Sequence, residues 1–149
     1  MSPLKYDMPL DYNAQGLHFH FDSQHFEEHY INGITRLYVK PNSSIRGIQA
    51  SMPLNKELVK GRKYKIYVRF KTNTTSTLVN FHIKNRRTDD FQVVLNYPVD
   101  LNAKGFISAE NEFVPNKTGY DAFMIGAFHI RGEDAHIAFE YIRICEVDN

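Results

Sequence analysis

Apolar and polar residues alternate along most of this chain. From Tyr64 to Lys71, the apolar side chains of Tyr64, Ile66, Val68 and Phe70 interleave with Lys65, Arg69 and Lys71. A period of two sends successive side chains to opposite faces of a strand, one packed and one wetted. Gly61 stands just ahead of this run, where a turn needs freedom in φ. The same pattern recurs over Leu17–Asp22, Thr35–Lys40, Arg46–Leu54, Thr77–Asn85, Phe91–Tyr97, Gly105–Val114, Asp121–Ile130 and His136–Val147. Polar turns such as Pro41-Asn42-Ser43-Ser44 and Asn73-Thr74-Thr75-Ser76 separate the runs. About nine short strands, at a spacing of about 8–12 residues, predict an all-β antiparallel sandwich of two sheets, a jelly roll. The one helical candidate is a short turn within Asp22–Tyr30, with Ser23 as its cap.

Composition narrows the partners. The 149 residues are 42% hydrophobic and 23% charged, and no repeat or linker divides them, which predicts one domain over 1–149. A net charge of +1 argues against nucleic acid. Lys84, Arg86 and Arg87 cluster locally but lack a strip of stacking aromatics. No apolar run reaches the roughly 20 residues of a membrane span. The first residues show no apolar signal region, and Asn42, Asn73 and Asn116 match glycosylation acceptors at predicted turns. Together these leave the compartment open. A single cysteine, Cys145, excludes an intrachain disulfide and reads as a small apolar residue of the last strand.

That last strand changes phase. Ile137 and Phe139 share one parity, Ile142 and Ile144 the other. A β-bulge near Glu140 makes such a slip and places the carboxylate near a sheet edge, within reach of a cation or an amide. Taken with Gln49 on a polar strand and the series Leu58, Gly61, Tyr64, Ile66, Val68, Arg69, the ending Glu140, Tyr141, Ile142, Ile144 resembles the jelly-roll carbohydrate-binding modules of the family 4/9/22 type. The resemblance runs from about Gly16 to Val147.

It implies non-catalytic binding of an oligo- or polysaccharide along the concave sheet, as part of a larger polysaccharide-active protein, outside the cell or at its surface. Dealing jelly-roll strands alternately to two sheets puts Arg46–Leu54, Thr77–Asn85, Phe91–Tyr97 and Asp121–Ile130 in one sheet. The outward residues are then Gln49, Ser51, Asn80, His82, Lys84, Gln92 and Asn96. Two phases are open for the fourth strand; the one facing Phe123 and His129 outward is favoured because it wets His129 rather than Ile130. Amides suit sugars because each offers a donor and an acceptor to a pair of hydroxyls. Lys84 or Arg46 would favour an anionic sugar. The chain has no tryptophan, so Tyr38, Tyr67, Tyr97 or Phe123 must supply any ring for stacking. The resemblance also suggests structural calcium held by Glu140 with Asp22, although binding itself requires no cofactor.

Other chemistries fit less well. His18 and His20 share a strand face as in a cupin metal site, but the second cupin element is absent. Glu110 and Glu112 lie side by side on one strand face and cannot flank a sugar from two sides. No nucleophile elbow or phosphate loop is present. The alternative function is a structural or protein-binding jelly roll that packs on a catalytic partner or self-associates. An outward apolar strand over Phe123, Ile125 and Ala127 would favour it.

Overall fold

The computed structural model describes residues 4–8, 21–32, 34–40, 47–54, 56–72, 78–98, 105–128 and 136–147. Ten strands form from them: β1 (Leu4–Met8), β2 (Phe26–Ile31), β3 (Ile34–Val39), β4 (Gly47–Pro53), β5 (Tyr64–Thr72), β6 (Leu78–Lys84), β7 (Phe91–Pro98), β8 (Ile107–Phe113), β9 (Ala122–Phe128) and β10 (His136–Val147). All pair antiparallel. One sheet runs β2-β3-β10-β5-β8, with β1 also on β10; the other runs β4-β9-β6-β7. The expected grouping of Arg46–Leu54, Thr77–Asn85, Phe91–Tyr97 and Asp121–Ile130 is this second sheet.

The sheets meet through their apolar parities. Phe70 of β5 packs edge-on to Phe81 of β6 and to Tyr97 of β7, at 5.5 and 5.7 Å between ring centroids. Phe81 also stacks on Phe123 and meets Phe139. Each buried ring removes a large apolar area from water and interlocks with the others edge to face. The Gly61–Lys71 segment is wired into this core. Gly61 takes φ +86°, and its N–H donates to the Pro115 carbonyl. Tyr64 stacks on Phe113 while its hydroxyl accepts from the Val59 N–H, so a buried phenol is satisfied.

The bulge in β10 lies where the sequence puts it. Phe139 pairs with Phe70 and Tyr141 with Arg69, leaving Glu140 as the extra residue. One strand thereby keeps Ile137, Phe139, Ile142 and Ile144 all in the core.

Two expectations for the first third change. Asp22–Tyr30 is not helical: a turn over Ser23–His25 leads straight into β2. The cap is Asp22, whose backbone carbonyl accepts from the His25 and Phe26 N–H groups and whose carboxylate accepts from the Gln24 N–H. β2 then pairs with β3 along its whole length. The strand expected over Leu17–Asp22, with His18 and His20, lies outside the described residues apart from Phe21 and Asp22, which follow no strand pairing.

Candidate functional site

The register of the four-stranded sheet sorts its residues by face, because directly opposed residues share one. On the inner face, Phe81 opposes Ile125 and Leu95, and Ile83 opposes Phe123. On the outer face three rows cross the sheet. Gln49, Gly126, Asn80 and Asn96 form one; Ser51, Met124, His82 and Val93 the next; Pro53, Ala122, Lys84 and Phe91 the third. Asn80, His82, Lys84 and Asn96 thus face outward as expected, and position 49 takes the same parity. Small residues of β9, Ala122 and Gly126, flank Met124 between the polar rows of β4 and β6.

His82 is the unusual member. Only 7% of it is exposed, and neither ring nitrogen has a hydrogen-bond partner. The amide oxygen of Asn80, two residues away on the same face, is also buried without a partner. A buried polar atom left unpaired costs about 1–3 kcal/mol, so folded proteins rarely keep three together. The His82 ring stacks on Phe91, with centroids 5.2 Å apart and planes 18° from parallel. Burial pushes the imidazole below its ordinary value of 6.5. Phe91 itself is 57% exposed, and its neighbour on this face, Val93, is exposed too. An open aromatic ring beside sequestered acceptors is suited to a ligand with an apolar face and hydroxyl edges.

Lys84 contributes less charge than expected, since its Nζ lies 3.2 Å from the Asp89 carboxylate.

Three site expectations require correction. Phe123 does not face outward: it is fully buried, opposed to Ile83 and Met52 and stacked on Phe81. Ile125 is buried with it, so the apolar strand that favoured a protein interface is the core face of β9. Gln92 is not on the outer face either. A bulge in β7 lets Phe81 pair with Leu95 and His82 with Val93, and Val94 is the residue left over. The parity reverses there, so Gln92 opposes Ile83 while Asn96 opposes Asn80. Gln92 uses its amide to hold the next loop, donating to the Val114 carbonyl and accepting from the Asn116 N–H. His129 and Arg46 lie outside the described residues.

The rings proposed for stacking are also elsewhere. Tyr97 packs in the core, and Tyr67 and Tyr38 sit on the other sheet, under Lys65 and between His29 and His136. The open ring on this face is Phe91.

The two proposed calcium ligands are not brought together. Glu140 is bound by Arg69, and Asp22 caps its own turn. Phe139, next to Glu140, opposes Thr35 at one end of β3, whereas Phe26, beyond Asp22, opposes Val39 at the other. Four strand positions amount to about 13 Å. Among the described residues no group of three or more His, Cys, Asp or Glu side chains is placed to hold a metal ion. No described helix is long and apolar enough to cross a membrane.

Neither a protein-family model nor any curated protein matches the chain. Solved structures do. A mutant of the family 29 carbohydrate-binding module CBM29-2, complexed with mannohexaose, superposes with a TM-score of 0.63 at 11% identity, covering 98% of this chain and 92% of its own. It shares its fold with carbohydrate-binding modules. The module CBM1 of BiXyn10A gives a TM-score of 0.61 at 14% identity, over 95% of this chain and 97% of that one. A second CBM29-2 mutant, complexed with cellulohexaose, gives 0.60 at 11% identity, over 98% and 90%. None of the three carries the family 4, 9 or 22 designation that the sequence pattern suggested.

Proposed function

We infer that the chain is a non-catalytic module binding a neutral oligo- or polysaccharide on the outer face of its four-stranded sheet, within a larger polysaccharide-active protein. One observation carries this: three buried, unpartnered polar atoms on Asn80 and His82 lie on one face beside the exposed Phe91 ring. Once the side chains covering these atoms shift on binding, a sugar hydroxyl, which both donates and accepts, answers an amide oxygen and a neutral imidazole equally well. The ring then packs on the C–H face of a pyranose. An anionic sugar is disfavoured because Lys84 is already matched by Asp89. Fold neighbours complexed with mannohexaose and cellulohexaose point to the same ligand class. The paired carboxylates Glu110 and Glu112 lie on the opposite sheet, each matched by a lysine.

Isothermal titration with mannohexaose and cellohexaose tests this directly. Saturable binding of either, weakened about 10–100-fold by Phe91→Ala without loss of fold, is the expected result. EDTA should leave binding unchanged, since the carboxylates suggested for calcium are engaged elsewhere. No binding of either sugar by folded protein, with self-association through Phe91 and Val93 in sedimentation, would favour the protein-binding alternative.

A further inference from the structure

We propose that binding on this face is gated by the protonation of His82, which holds glycan as a neutral imidazole and releases it on acidification. The inference rests on the glycan assignment and adds its regulation. The described surroundings of the ring offer little to stabilise a charge. On β6 its neighbours across the face are Asn80 and Lys84, the latter countered by Asp89. From β7 it meets Phe91 and Val93, from β9 Met124, and beyond Met124 in the same row lies Ser51 of β4. Among the described residues on these four strands, none of those facing the ring is a carboxylate that would stabilise an imidazolium. Burial of a ring only 7% exposed disfavours the charged form and pushes its pKa down.

Protonation also changes what the ring offers. A neutral imidazole has one donor and one acceptor; an imidazolium has two donors and no acceptor. A glycan laid over the ring excludes its remaining water, so the bound state favours the neutral form further. The imidazole therefore has its lowest pKa in the complex, a higher one in the free module, and 6.5 in an exposed chain. Affinity is constant above the free-state pKa. Below it, affinity falls by about tenfold per pH unit until the bound-state pKa is reached.

The experiment titrates mannohexaose and cellohexaose into the folded chain at pH 8, 7, 6 and 5. It is repeated with His82→Gln, and the His82 ring is followed by NMR with and without hexaose. The expected result in the natural chain is an affinity that is constant above the free ring's NMR titration midpoint and falls below it by up to about tenfold per pH unit. His82→Gln should bind more weakly than the natural chain at pH 8 but lose nothing on acidification. The ring should titrate below 6.5 in the free module, and lower still with hexaose. Affinity that stays flat below the free ring's NMR titration midpoint, a His82→Gln profile that falls alongside the natural one, or a ring pKa that rises on binding overturns the gate and leaves the glycan assignment standing. Failure of both hexaoses to bind at any pH overturns the two together.

Discussion

The outer faces of the two sheets are built by the same alternation of residues and end in opposite conditions. On the six-stranded sheet a row of described charges is answered: Lys65 by Glu110 at 3.3 Å, Lys63 by Glu112, Arg62 by Glu146, and Arg69 by Glu140 and Ser108. Glu110 draws the Lys65 ammonium upward in pKa, as a partner should. On the four-stranded sheet the central groups are uncharged, sequestered and unanswered, and a bare ring stands beside them. Polarity alone does not distinguish a binding face from a wetted one. Unmet hydrogen-bonding capacity does.

The largest test of that contrast removes the unanswered groups. Asn80→Ala combined with His82→Ala should weaken hexaose binding by about 100-fold or more, at about 10–100-fold each. The matched pair Lys65→Ala and Glu110→Ala on the other sheet should leave titration curves superimposable. Equal losses from both pairs would dissolve the distinction between the faces.

A second change probes the end of the four-stranded sheet. Gly119 has φ +97°, and a Cβ there would collide with the Asn85 side-chain nitrogen. That buried asparagine holds the turn after β6 by accepting from the Arg87 N–H. Gly119→Ala should lower stability by roughly 1–3 kcal/mol in urea unfolding, and binding in proportion to the population unfolded.

Third, the unpaired imidazole should be a burden on folding. His82→Leu should match the natural chain in stability or exceed it by about 1 kcal/mol, while binding is lost. The pH dependence sharpens this. Native His82 resists protonation, whereas the unfolded chain accepts a proton near 6.5. Its contribution is thus whole above pH 6.5 and is lost as the pH falls toward the native value, and His82→Leu should lack that decline. Lower stability of His82→Leu at pH 7 would mean that the ring serves packing.

The smallest effect belongs to the satisfied face. Glu140→Ala should cost less than about 1 kcal/mol, because Arg69 and Glu140 are both substantially exposed, and 1 M salt should erase the difference.

Much of this was legible from residue order. The parity of Asn80, His82 and Lys84 and the β10 bulge follow from apolar periodicity, and the membership of the four-stranded sheet follows from dealing jelly-roll strands alternately to two sheets. What escaped has physical causes. In Val93-Val94-Leu95 three apolar residues in a row signal a second bulge, the same kind of slip that marks β10. Assuming unbroken alternation instead put Gln92 outward and left Phe91 unnoticed. β2 announces itself by Ile31-Asn32-Gly33-Ile34, the two-residue hairpin signature, with Asn32 at φ +55°. Attention to Ser23 as a cap suggested a helix instead. Phe123 was turned outward to keep His129 in water, although the larger free energy lies in burying a phenylalanine among other rings. That His82 is sequestered with no partner was beyond any pattern, because it depends on what covers the sheet.

Gln92 carries a last consequence. With its amide clasping the backbone at Val114 and Asn116, and with Asn111 donating to the Val94 carbonyl, the open side of β7 is occupied by side chains of its own molecule. On the far sheet, edge strand β2 places Glu28 on the core-facing parity, opposite Leu37, where an incoming strand would have to accommodate a carboxylate. If the proposed face holds a polymer, copies crowded shoulder to shoulder along it are discouraged, at both of these margins, from zipping into a common sheet, and dense decoration need not become aggregation.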